Sequence, residues 1–333
     1  MKTPLLLVRS LAVSTLVVLL TSGVVASIQA QPKVSDAESK ASAAVKSAPD
    51  INAKIAAAEE FVKKFPKSTL RAQLAEYIVD QIIGVSDANQ KVTLAQKYPT
   101  IFTDATEVDL IKPALIDAYA KLNRFDEAFA DGATYLTRNG EDIQVLVMLA
   151  IHGVEQAKAR NPKFVSVSKQ YGAKAIELIE ADKKPASMDA EFWAKEKSML
   201  PQVYQEMAVI SLMEQNPTEA QAKLEKASAL NPGDPFNHAL LGSIINDDYQ
   251  KLAQTYKNMP EGKSKDEMLG KANALLDKVI EHYVRGIALS EGKPQYQQFH
   301  DQLLQDVTPY YRYRHSGSTD GLQALIESFK PKP

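Results

Sequence analysis

The stretch Pro201–Pro235, PQVYQEMAVISLMEQNPTEAQAKLEKASALNPGDP, decides how this 333-residue chain folds. Tyr204, Met207, Ala208 and Ser211 recur at the spacing of one helical face. Asn216-Pro217 breaks that helix, because the residue before a proline is driven out of the helical region. Ala220, Leu224 and Ala227 repeat the face on a second helix, which ends at Leu230-Asn231-Pro232-Gly233. Two such faces close into a hairpin if their backbones can approach. Ala208 and Ala220 supply small contact residues, and Tyr204 and Leu224 fill the space above and below them. The unit then starts again, since Leu241-Gly242 stands thirty-four residues after Met207-Ala208.

Further hairpins flank this one. Ile111, Leu115, Ala118, Tyr119 and Leu122 predict a first helix, Asn123-Arg124 a turn, and Phe125, Ala128, Phe129, Tyr135 and Leu136 a second helix. Leu149-Ala150 lies thirty-four residues after Leu115-Ile116, so the interval recurs. From Ala150 to Ala208 it widens to fifty-eight, across Arg160-Asn161-Pro162 and a polar connection at 181–187, which predicts a non-uniform array. After Leu241-Gly242 a first helix runs on toward Tyr256. Its partner spans about 265–289, with Leu269, Ala272, Leu276, Val279 and Tyr283 on its face. Toward the N-terminus, Ile55, Ala58, Phe61 and Val62 form a face that stops at Phe65-Pro66, and Leu70, Leu74, Ile78 and Ile82 continue it.

The pattern resembles the tetratricopeptide repeat, of the kind found in secreted or periplasmic bacterial proteins. Tyr204 matches the family's large first-helix residue, Met207-Ala208 its leucine-glycine pair, and Ala220, Leu224, Ala227 and Pro232 its second helix and closing turn. Tyr119 and Ala128 match in the preceding hairpin, whereas Ile116 and Gly132 invert the expected sizes. Ser211 departs from a usual tyrosine and Gln215 from a usual turn glycine. The resemblance implies an all-α fold, a right-handed solenoid of antiparallel helix hairpins with a capping C-terminal helix. It also implies an inner surface lined by first helices: Gln202, Gln205 and Val209 in one unit, Phe236, Ala239 and Ser243 in the next, with Leu212, Met213, Asn246 and Asp247 extending it. Of these, Gln202, Gln205, Val209, Phe236, Ser243 and Asn246 are the partner-binding residues expected. The lysine-asparagine clamp that some repeats of this family use for acidic peptide ends is not among them.

Residues 1–30 read differently. Lys2 and Arg9 precede an uncharged, Leu- and Val-rich run from Ser10 to Pro32, and Ala26 and Ala30 offer cleavage positions, as in a secretory signal peptide. The run is also long enough to be an uncleaved membrane anchor facing the periplasm. Loss of Lys2 and Arg9 with the leader moves the formal charge from -2 to -4, which gives no general attraction to nucleic acid or anionic lipid. Residues 31–50, rich in Ala, Ser and Lys, are expected to be a flexible tether. The repeat domain then covers 51–330. Near its end, Pro309-Tyr310-Tyr311-Arg312-Tyr313-Arg314-His315 alternates aromatic and basic residues. Such a string either stacks on bases and pairs with phosphates or packs its tyrosines on the last hairpin. Leu322, Leu325, Ile326 and Phe329 predict a terminal amphipathic helix that caps the array.

Recognisable chemistry is sparse. The chain has no cysteine, so disulfides, thiolate metal sites and a lipid-modified cysteine are excluded. His152, His238, His282, His300 and His315 form no HExxH motif or closely spaced ligand set, and no phosphate loop or nucleophile elbow occurs. Carboxylates are plentiful but nothing in their spacing pairs two across a substrate. The sequence therefore predicts no cofactor, no metal and no catalytic residue. It points to an exported scaffold or adaptor that binds a protein or peptide, with membrane contact only if residues 1–30 are retained. The competing class is a cell-envelope hydrolase or carbohydrate-processing enzyme whose site is assembled only in three dimensions.

Overall fold

The computed structural model describes residues 34–185 and 188–330. The expected leader at 1–30 lies outside the described residues. The chain divides into two compact units that part between Val145 and Leu146. Both are all-α and built of paired antiparallel helices, the hairpin-on-hairpin arrangement of a solenoid, and a distinct helix ends the chain.

In the first unit the pairs are α1 (Asp36–Ser47) with α2 (Ile51–Lys64), α3 (Arg71–Ile83) with α4 (Ala88–Lys97), and α5 (Ala105–Lys121) with α6 (Phe125–Leu136). Helix α1 corrects the expectation of a flexible tether at 31–50. Ser35 and Glu38 form a capping box in which the Glu38 N–H donates to Ser35 Oγ at 3.2 Å and the Ser35 N–H to Glu38 Oε2 at 2.8 Å. Val45 is fully buried and α1 packs on α2, so it is the first-helix partner that α2 lacks when read from sequence. Its buried face is Ser42 and Val45, too small and too polar to register as an amphipathic stripe. Alanine-rich sequence with a good cap is nonetheless a strong local helix former. Farther along, Arg71 on α3 grips Glu107 on α5 with two bonds, Nε to Oε1 at 2.7 Å and Nη2 to Oε2 at 2.8 Å. Glu107 also completes the capping box of α5 with Asp104, so one buried carboxylate fixes a helix start and a helix-helix contact.

The second unit begins within the first turn of α7 (Ile143–Lys158), so most of that helix belongs to it. It contains α8 (Val165–Glu180), α9 (Ala190–Lys197), α10 (Leu200–Met213), α11 (Pro217–Leu230), α12 (Pro235–Lys257), α13 (Lys263–Ser290), α14 (Gln297–Arg314) and α15 (Leu322–Ser328). The deciding stretch forms α10 and α11 as read. Ala208, Ala220 and Leu224 are fully buried and share a core with Leu241 and Ile244 of α12. The thirty-four-residue equivalent of Ala208 is Gly242, where a Cβ atom would come within 2.5 Å of the Tyr283 ring, so the close approach recurs between α12 and α13. Between α8 and α10 a Cβ on Gly172 would meet Met207 Sδ at 2.4 Å. Helix α15 docks on α13 and buries Leu322 and Ile326, as the capping expectation required.

One turn recurs without a glycine to announce it. Asn123, Arg160, Asp182, Gln215 and Ser316 take positive φ values of 50 to 68°, each just after a helix. In each case the next N–H reaches back to a carbonyl of the last turn: Arg124 to Tyr119 at 2.9 Å, Asn161 to Gln156 at 2.8 Å, Lys183 to Leu178 at 3.0 Å, Asn216 to Ser211 at 2.8 Å and Gly317 to Arg312 at 2.8 Å. This left-handed helix stop satisfies orphan carbonyls and reverses the chain. Asn161 and Asn216 then serve the next element as well, since their side-chain oxygens accept from the Lys163 and Glu219 N–H groups. Gln215, which stands where the repeat resemblance leads one to expect a turn glycine, thus keeps the glycine conformation.

Candidate functional site

The residues expected to bind a partner sit on α10 and α12, the first helices of two successive hairpins in the second unit. Gln202 and Ser243 are exposed and Val209 is half-buried. Gln205 is not a free recognition group. Its Nε2 donates to Asp234 Oδ2 at 3.0 Å and to Asn237 Oδ1 at 2.8 Å, which uses both amide hydrogens inside the fold. Asp234 in turn caps α12, with its Oδ1 accepting from the Phe236 N–H at 2.9 Å. Gln205 therefore ties α10 to the start of α12, and only its carbonyl oxygen is left for a ligand.

Phe236 is also partly structural. Its ring meets Tyr296 edge-on at 5.5 Å and Phe299 at 4.6 Å, joining α12 to the start of α14, yet the residue remains 39% exposed. Such a half-covered aromatic can stiffen a hairpin junction and still offer a face to a partner. Asn246 lies half-buried with its Oδ1 shielded from solvent and without a hydrogen bond, as does Asn237 Nδ2 at a residue only 1% exposed. Asp234, Asn237, Tyr296 and Phe299 belong to this face but carry no sequence signal for it. Asp234 and Asn237 come from the start of α12 and Tyr296 and Phe299 from the start of α14, and only folding brings the first two beside Gln205 and the last two beside Phe236.

Behind the face, Glu206 is 6% exposed and both of its oxygens accept from Lys158 Nζ of α7, at 2.9 and 2.7 Å. Burial pushes its carboxyl above the usual range, and the Lys158 ammonium pulls it back. A buried carboxyl of raised pKa in a cleft is one signature of an active site. Here both oxygens are engaged by one lysine, which is the pattern of a structural ion pair. Among the described residues no group of three or more His, Asp or Glu side chains is arranged to hold a metal.

The histidines divide. His152 bonds Glu155 at 2.8 Å, His300 bonds Asp301 at 3.1 Å, and His315 stacks on the Tyr311 ring at 3.8 Å. His238 and His282, forty-four residues apart, face each other with their Nδ1 atoms 3.3 Å apart. The aromatic-basic string follows its packing reading. Tyr311 is buried and donates to the Asp320 carbonyl at 3.1 Å, Tyr310 lies against Tyr249, and Arg314 holds Asp277 with two bonds of 2.7 and 2.9 Å. Tyr313 alone of the three tyrosines stands out, at 58% exposure. No helix among the described residues is long and apolar enough to cross a membrane.

No family model and no curated protein matches the chain. Among solved structures it is similar to that of pilF from Pseudomonas aeruginosa, with 14% identity over 78% of this chain and 94% of the other and a TM-score of 0.37. It is likewise similar to a tetratricopeptide repeat protein from Parabacteroides merdae, with 12% identity over 80% and 96% of the two chains and a TM-score of 0.37. The helical-hairpin class of this protein rests on its own helices and turns, described above.

Proposed function

We propose that this protein is an exported scaffold or adaptor that binds another polypeptide in the cell envelope through the first-helix face of α10 and α12, without covalent chemistry. The observation that carries the reading is the character of that face. Gln202 and Ser243 are exposed, Phe236 offers a partly open aromatic ring, and Val209 lies half-buried between them in sequence. Rigid helices hold a mixture of hydrogen-bonding and apolar groups, in which the Asp234 carboxylate is already engaged by Gln205 and the Phe236 N–H, and this suits an extended or helical peptide segment. An aromatic anchor such as Phe236 supplies affinity, and Gln202, Ser243 and the Gln205 carbonyl select among backbones. Export rests on the leader-like residues 1–30.

The test is affinity capture from an envelope fraction with the folded mature chain, repeated with Gln202→Arg/Ser243→Arg. Both positions are exposed, so thermal unfolding should be unchanged while partner recovery falls by about tenfold or more. Undiminished recovery by that variant would rule out this face. Gln205→Ala is unsuitable for the purpose, since it releases α12 from α10 and leaves Asn237 without its donor. Intact-mass analysis of protein from the native host checks export, with loss of about 26 or 30 residues expected.

A further inference from the structure

His238 on α12 and His282 on α13 meet inside the longest hairpin. Their ring centroids are 5.5 Å apart and their Nδ1 atoms 3.3 Å, so the two nitrogens lie nearly on the line joining the ring centres. That is the alignment of one N–H···N hydrogen bond, with one ring donating from Nδ1 and the other accepting there while carrying its own proton on Nε2. Both rings are half-buried beside Gly242, where His282 Cβ and the Tyr283 ring already crowd the α12 backbone. A first added proton can enter at the outer Nε2 of the donor ring and leave the bond in place. A second must settle on the accepting Nδ1, and it sets two N–H groups of two cations head to head across the helix contact.

We infer that the His238–His282 pair is an acid-sensitive latch, closing α12 against α13 near neutral pH and loosening that hairpin under mildly acidic conditions. The charged groups around it do not rescue the doubly protonated state. Glu225 on α11 and Glu281 on α13 favour a charged His282, but Arg285 and Lys278 on α13 oppose it, and Glu281 is already bonded to Arg285 at 2.8 Å. Burial pushes His238 down to about 4, with His282 and Arg285 adding to the effect, and burial lowers His282 as well. In the unfolded chain both rings titrate near the ordinary histidine value of about 6.5. The unfolded state therefore binds more protons than the folded one, and the latch's contribution is whole above about pH 6.5 and drains away as the pH falls toward 4. No partner is needed for this device, and it stands whether or not the α10–α12 face binds a polypeptide.

The full chain and its His238→Asn/His282→Asn variant separate the outcomes. Asparagine places an amide near the position of Nδ1, so the contact survives but cannot titrate. With chelator present to exclude bridging metal, the wild-type melting temperature should fall between pH 7.5 and pH 5 by about 3 to 6 °C more than that of the variant. Equal falls would overturn the latch. Proton NMR of the wild type gives a second reading, free of any folding defect in the variant. Two of the five histidine ring signals, those of His238 and His282, should titrate below the ordinary histidine value of about 6.5, and titration of both at that value would equally overturn the latch.

Discussion

Helices α10 and α11 are 14 residues each, whereas α12 and α13 run to 23 and 28, yet the two hairpins close on equivalent positions. In the short one Ala208 and Ala220 bring the backbones together over a fully buried Leu224, and in the long one Gly242 admits the Tyr283 ring. Past that point the long hairpin changes character. Leu252 and Leu269 are only half-buried, and the Oδ1 atoms of Asn246 and Asn273 are shielded without partners. The thirty-four-residue unit is thus about the length needed to bury one small-residue contact and the large residues on either side. Helix added beyond it carries less apolar burial per turn.

The largest test of that difference compares two leucines. Leu224→Ala should cost about 2 to 5 kcal/mol in urea unfolding, because it opens a cavity in a closed core, whereas Leu269→Ala should cost under about 1 kcal/mol. Equal losses would mean that the extension is as well packed as the repeat. Next in size, Gly242→Ala should destabilise by about 1 to 3 kcal/mol, since the new methyl group lies 2.5 Å from Tyr283 ring carbons. A change near zero would show that the ring can step aside, and with it that the close approach is not what sets the hairpin.

Smaller effects sharpen the comparison at the turns and in the extension. Gln215→Gly relieves a side chain held at φ 58° and should stabilise the short hairpin by about 1 kcal/mol. The same measurement on Gly292→Ala, at φ 70°, should show a loss of similar size. Asn246→Leu should be nearly neutral, within about 0.5 kcal/mol, because it removes an acceptor that makes no bond. A substantial loss there would reveal that the amide has work to do in the folded chain.

Much of the fold is legible without coordinates. Apolar residues three and four apart mark α10, α11, α5 and α6, and prolines at 201, 217 and 235 fall in first turns, where their missing N–H costs nothing. Helix α4 ends at Lys97, two residues before the proline at 99. Helix α1 escaped because its buried face is one valine and one serine, even though Ser35 and Glu38 spell a capping signal. The division into two units depends on where contacts thin out, which no single segment records. Of the candidate face, exposure of Gln202 and Ser243 follows from helical spacing, but the engagement of Gln205 does not. Its bonds go to Asp234 and Asn237, about thirty residues away.

The sequence by itself determined the elements: helix periodicity, caps, proline starts and the thirty-four-residue interval are local properties, fixed by backbone sterics and by which face must leave water. The tertiary structure alone decided the pairings that give those elements their chemistry. Gln205 becomes a tie between helices, Phe236 becomes half of a junction, and two histidines forty-four residues apart become one coupled group. The physical reason is distance. Hydrogen bonds and proton coupling act over about 3 Å, and helical spacing says which side of a helix a residue occupies without saying which atom of another helix will meet it there.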